Sequence, residues 1–514
     1  MKNILHVIIA AFITFFLVGC TGLSEDTIEE EAIDNLEAVL LLVQENRGAD
    51  IAPDFNVDEF LYDYDQWEST ELSEGELEEI RYTGEPHAYI TKEEMIEDVE
   101  TMHRVLKYMY ALYEANGGDT TFKNARDDLI DTIHERFDSD DTIHAGALSQ
   151  LLIEHYSFIR DTHFYIDGQL VTSVNYNLFI SEQTSFNKTS NGYFFSTTDG
   201  AKLVSINEEE NLEQFLKPSI DENGELVYTP SLFTEQNEPP TFQFITDMHG
   251  EKTEKDVTLN QVSSQRLMDD SKIIIDEEIP QLSLRTFMFY DHSPVSANIF
   301  IDSADKLQDE AVWILDIRSN EGGYSHYINE WHRELFGYLP GFGDYILTLY
   351  SNTGYHIYED TEQYYESRGV VADPLSDFTG FSSILFPLDE PHWGREFYAE
   401  KNIKNEDSII FVLIDEYTAS AAEHMVQVMK QVENTILVGT PTMGALNSGG
   451  ALFWELPNSN IVMDVPSTFN YHPEHMKKEG IGLEPDLWIN PENAEERIKN
   501  FINIHFDQNE QDVK

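Results

Sequence analysis

The chain has little cysteine and little positive charge. Its 514 residues include one cysteine, Cys20, so it can form no internal disulfide. Lysine and arginine total 31 against 96 aspartates and glutamates, a formal net charge of −65. This excludes nucleic acid and an anionic membrane surface as direct partners, because clustered basic groups hold both. The acidic surface favours solubility and suits saline or alkaline surroundings, and it carries no information on the fold. There is no phosphate-cradling G-x-x-x-x-G-K-[ST] loop, no dinucleotide-binding G-x-G-x-x-G and no internal repeat. Beyond residue 18 no apolar run is long enough to cross a bilayer.

Hydrophobic residues make up 41% and aromatics 12%, enough for two or three domains with cores of their own. The start is basic (Met1-Lys2), then apolar from Ile4 to Val18, and closes on Leu17-Val18-Gly19-Cys20. It reads as a bacterial lipoprotein signal over residues 1–20, with Cys20 the lipidated first residue of the mature chain. An uncut signal anchor is the alternative. Both place the body outside the cytoplasm, and the first tethers it by lipid to the outer face of the cell membrane.

Residues 21–90 are acidic and mixed, and read as a tether with one short helix near Ile33 to Val43. Residues 91–163 read as a helical domain. Thr91 and Glu94 have capping-box spacing, and Met95, Val99, Met102, Leu106 and Met109 trace one face. Two further helices are expected over 122–137 and 145–158. Residues 164–280 alternate in the manner of strands, with one helix expected over Asn211 to Leu216. Their length suits a β-rich, PDZ-like module. From 281 to 505 the pattern is α/β, with 506–514 as a tail and residues 340–405 an excursion without clear period. Ala311 to Ile317 and Ile409 to Ile414 are continuous apolar runs, as parallel strands buried on both faces require.

Ser420 stands at a strand-to-helix turn, and Ser420 with Glu423 forms S-x-x-E. That pattern alone describes a helix cap. A nucleophile would further need a base, two N–H donors for an oxyanion, and a group to orient the base. The N–H of Ala421, just inside the helix, is one donor. Gly322-Gly323, after the first apolar strand, can bring backbone close enough to supply the other. A plain turn is the bland account of the same pair. His163, where helix gives way to strand, is the candidate base, although a lone histidine is commonly structural.

The set ILDIRSNEGG (314–323), VLIDEYTASAAE (412–423) and LVGTPTMG (437–444) resembles the C-terminal-processing and tricorn-core serine peptidases. Asp161-Thr162-His163 upstream and the block Glu479 to Asp486 downstream match that family's flanking blocks in order, so the resemblance spans about residues 91–490. It implies a crotonase-like α/β core, a helical domain, a PDZ-like insertion and a peptide or protein substrate, without metal or cofactor. In the C-terminal-processing branch a lysine base follows T-x-G. Here Thr442-Met443-Gly444 is followed by Ala445, which cannot take a proton. The tricorn-like branch implies Ser420 as nucleophile, His163 as base and Glu479 orienting the imidazole, supported by the Thr162 hydroxyl. Two departures stand out. Glu321 lies in the glycine loop, and Thr162 replaces a serine.

Rival bases are His326 and a displaced Lys477 or Lys478. His472-Pro473-Glu474-His475 hints at a metal cluster but lacks an i, i+4 pair and reads as an exposed loop. A binding protein with a dead site on the same core is the alternative function, and a hydrolase of another acyl group a third.

Overall fold

The computed structural model describes residues 35–47, 56–63, 71–138, 141–172, 176–289, 293–341, 343–368, 381, 384–399, 402–405 and 408–507. The signal, Cys20 and the last residues of the tail lie outside these.

The first described helix, α1 (Asn35–Arg47), buries Val39 and Val43. Both join a core with Phe411, Ile436 and Val438. Arg47 donates from both terminal nitrogens to the Asp486 carboxylate at 2.8 Å. This part of the expected tether is therefore packed structure. Helix α2 (Lys92–Met109) starts on the expected capping box, and its five expected apolar residues are buried. It packs with α3 (Gly118–Arg136) and α4 (Gly146–His155). Their shared core runs on into Trp454, Val465 and Phe469, so the helical region has no separate core.

After β1 (Tyr165–Ile166) comes the β-rich module: β2 (Asn177–Ile180), β3 (Phe186–Lys188), β4 (Phe194–Ser196), β5 (Lys202–Ile206), β6 (Leu216–Ile220), β7 (Leu226–Thr234), β8 (Thr241–Met248) and β9 (Glu251–Thr258). Five phenylalanines, at 179, 186, 194, 242 and 244, anchor its core. The expected helix at Asn211 to Leu216 is a turn leading into β6. Pro218 is tolerated in β6 because, among the described residues, that strand pairs only with β7.

The α/β region is built on a sheet in the order β10 (Lys272–Ile274), β11 (Gln281–Ser283), β12 (Val312–Asp316), β15 (Ile409–Ile414), β16 (Thr435–Gly439) and β19 (Leu487–Trp488). All pairs from β11 onward are parallel. Alternate side chains serve opposite faces. Trp313 and Leu315 pack with α5 (Ala297–Leu307), α6 (Ser325–Phe336) and α8 (Ala421–Lys430). Ile314 packs with α1 and α9 (Pro491–Asp507). The result is a three-layer α/β/α core. Within the excursion, β13 (Asp344–Tyr350), α7 (Asn352–Ser367) and β14 (His392–Tyr398) are ordered elements. With β1, β17 (Ser448–Glu455) and β18 (Val462–Tyr471), the two strands build a second, antiparallel sheet beside the first.

Candidate active site

The site lies where β12, β15 and β16 end, the edge at which open parallel sheets present their loops. The turn after β15 is tied down by its own polar groups. Asp415 accepts from Ser319 N at 2.8 Å and Ser319 Oγ at 2.9 Å. Thr418 Oγ1 donates to Ile317 O at 3.1 Å, and Ala419 N to Asn320 O at 3.0 Å. The turn delivers Ser420 at φ 53°, ψ −121°. An L-residue avoids that conformation, at a typical cost of about 1–3 kcal/mol, unless its surroundings enforce it. Here α8 begins at the next residue, so Ser420 stands at the positive end of a helix.

The glycine loop after β12 abuts this turn. A Cβ on Gly322 would stand 2.8 Å from Ala421 N and 2.9 Å from the Ser420 Cβ, and its φ is +101°. A side chain there would displace Ser420. The Gly322 N–H, however, is donated to Asn320 Oδ1 at 2.9 Å, so it is not available to an oxyanion. Gly323 is better placed. Phe287 bonds to Gly322 O and to Tyr324 N, which turns the intervening Gly323 N–H to the opposite side. Gly323 and Ala421 both line the cavity that holds Ser420. Neither N–H is donated within the described protein. Glu321 is paired with Arg266, both about half exposed, and it is not among the residues lining the cavity.

His163 lines the same cavity. Its Nε2 is shielded from solvent and has no hydrogen-bond partner. Its Nδ1 lies 3.0 Å from Ser448 Oγ. Ser448 Oγ in turn donates to Asp161 Oδ1 at 2.7 Å. Burial pushes the imidazole below its ordinary pKa, and the Asp161 charge partly offsets this. The ring is therefore neutral at neutral pH, as a base must be.

Glu479 is buried close by but does not touch the imidazole. Its Oε1 accepts from Thr162 N at 2.8 Å and Thr162 Oγ1 at 2.7 Å. Its Oε2 accepts from Leu446 N and Asn447 N. Burial, and then the Asp161 charge, push its pKa up to about 8. The expected path from Glu479 through Thr162 to His163 is not the path these hydrogen bonds follow. Glu423 does more than cap α8. Its carboxylate accepts from Ser420 N at 3.1 Å, Gly444 N at 2.8 Å, Ala445 N at 2.7 Å and the Thr442 hydroxyl. Burial pushes it up to about 7, against the pull of those donors.

The cavity measures about 440 Å³. Asp344, Glu362 and Glu396 line it, and among the described residues no lysine or arginine does. Its other histidines, His424 and His475, are held neutral by burial, each pushed down to about 3.

Residues 282–489 match the model of peptidase family S41. The matched stretch, about two fifths of the chain, is similar to that family, and the chain is a serine-type peptidase. Among solved structures it is similar to mature CPAF at 13% identity, over 80% of this chain and 96% of that one, with a TM-score of 0.38. It is similar to the photosystem II D1 C-terminal processing protease at 13% identity, over 78% and 93%, with a TM-score of 0.33. Similarity to the tricorn protease is 12% identity over 81% of this chain and 37% of that one, with a TM-score of 0.33. No curated protein matches the chain.

Within the S41 domain the rival bases fall away. His326 is not among the residues lining the cavity. Lys477 pairs with Glu474 and Lys478 with Glu484. Residues 473–478 form a short helix rather than an exposed loop, and His475 faces Gln427 in the cavity wall. No group of three or more metal-ligating side chains occurs among the described residues. Two participants had no signal of their own in the sequence. Ser448 sits at the start of a strand, 285 positions from its partner His163. Glu423 reads only as a cap.

Proposed function

We propose that this S41 peptidase is lipid-anchored through Cys20 outside the cytoplasm and cleaves peptide bonds through an acyl-enzyme on Ser420. The observation that carries the reading is one cavity that holds Ser420, strained at a helix start, together with the unpartnered Nε2 of His163. Ser420 Oγ attacks the peptide carbonyl carbon while His163 Nε2 takes the hydroxyl proton. The carbonyl oxygen becomes an anion facing the N–H groups of Gly323 and Ala421. The C–N bond breaks, and His163 returns the proton to the leaving amine. Water then repeats the sequence on the ester, with His163 again as base, and frees Ser420.

The acidic wall suits a substrate with a basic side chain near the scissile bond, because negative charge favours a cation beside it. A fluorophosphonate probe is expected to label Ser420 in the wild-type protein and not in Ser420→Ala, with peptides carrying lysine or arginine turned over fastest. Absence of labelling in folded wild-type protein sinks the assignment. Cys20→Ala is expected to move the protein from the membrane fraction to the soluble extracytoplasmic fraction.

A further inference from the structure

We propose that Ser448 and Asp161 are the positioning residues of His163, which they hold in the Nδ1–H tautomer so that Nε2 is the basic nitrogen. The inference rests on the reading of His163 as the base. Three hydrogen bonds carry it. Asp161 accepts from Ser448 Oγ at 2.7 Å, from Tyr110 Oη at 2.9 Å and from the His163 N–H at 2.9 Å. All three partners are donors, so Asp161 behaves as a carboxylate that only accepts. The single Ser448 proton therefore points at Asp161, and the hydroxyl has only lone pairs left for the imidazole. Nδ1, 3.0 Å away, must then be the donor. With Nδ1 protonated and the ring neutral, the free lone pair is on Nε2, the atom left without a partner.

The relay is anchored from outside the S41 domain. Tyr110, at the end of α2, is fully buried and receives Asn116 Nδ2 at 3.0 Å. Asp161 is itself fully buried, and Ser448 is 3% exposed. A line of hydrogen bonds thus runs from the helical region to the base. When the imidazole takes up the Ser420 proton, Asp161 stabilises the resulting cation through the hydroxyl, as a triad carboxylate does directly. Glu479 cannot substitute in this geometry. Both of its oxygens are taken by Thr162, Leu446 and Asn447.

The test is ¹⁵N-histidine NMR on the full chain, with His163 assigned by its loss in His163→Gln. The expected result is an Nδ1–H tautomer in wild-type protein, lost in Ser448→Ala and kept in Glu479→Gln. An Nε2–H tautomer in the wild type overturns the proposal, whether or not any variant folds. So does a tautomer that survives Ser448→Ala and disappears in Glu479→Gln. In kinetics, Ser448→Ala is expected to lower kcat by about 10- to 100-fold, with KM changed by less than about threefold. Ser448→Thr, which keeps the hydroxyl, should restore the Nδ1–H signal. A loss confined to KM counts against the proposal. The tautomer is read without turnover, so its failure is distinguishable from failure of Ser420 to react with the fluorophosphonate probe.

Discussion

At Glu423 one carboxylate holds three parts of the site together. It receives the backbone N–H of the nucleophile, two N–H groups of the loop after β16, and the Thr442 hydroxyl, which itself accepts from Leu483 N at 2.7 Å. Glu423→Gln would turn an amide NH2 donor toward N–H donors, leaving at least one buried donor unpaired. Such a loss costs about 1–3 kcal/mol. The expected outcome is a fall in stability of that size, with kcat reduced more than KM because the strained Ser420 turn relaxes. Urea unfolding and steady-state kinetics on the same preparation check both. Unchanged kcat with the full stability loss would show that Glu423 is only a cap. The capping-box spacing was legible, but its second role was not, because residues 442–445 approach only after β16 is laid beside β15.

At the scale of elements, legibility followed the range of the interactions. Helix α2 is set by its cap and its apolar stripe, and the parallel strands by continuous apolar runs, all local in sequence. The ordered strands inside residues 340–405 escaped notice because their hydrophobic surface is completed by β18, far along the chain. The same holds for the site. Ser420 and the glycine loop sit on local strand-to-loop signals, while Ser448 gains its role only through β17 pairing with β18 and β18 with β1. Helix α1 is the clearest test at this scale. An acidic, mixed surrounding marked it as a tether, yet Val39 is fully buried against the sheet. Val39→Ala is expected to lower unfolding free energy by about 2 kcal/mol, the transfer value of the lost methyls plus a cavity. A change near zero in denaturant unfolding would return α1 to the tether.

For the whole molecule, the charge of −65 and the buried acids act in one direction. Burial lifts Glu423 to about 7, Asp464 to about 7 and Glu479 to about 8, from ordinary values near 4. In each case the folded pKa lies above the unfolded one, so the folded state binds more protons between those limits. The stability these groups favour is complete below about pH 4 and is lost as pH rises through 7 to 8. Depressed carboxylates oppose this. Asp119, lowered to about 2 by Lys107 and Lys123 against its own burial, and Glu76, lowered to about 2 by Arg104 and Ser73, contribute above about pH 4. Their gain is complete once both states are ionised, so it is flat from about pH 5.5 upward. Buried His103, His424 and His475, pushed down to about 4, 3 and 3, oppose the raised groups until the unfolded imidazoles lose their protons near pH 6.5, so the raised groups set the slope only above that. Self-repulsion among surface carboxylates adds to it and is screened within about 10 Å at 0.1 M salt. Thermal unfolding should show Tm falling from about pH 6.5 to 7.5, with added sodium chloride raising Tm at each pH. Salt should not remove the slope, because the three buried groups are shielded from it. A slope abolished by salt would assign the effect to the surface alone, whereas a residual slope lost in Glu479→Gln would place it in the buried carboxylates behind His163.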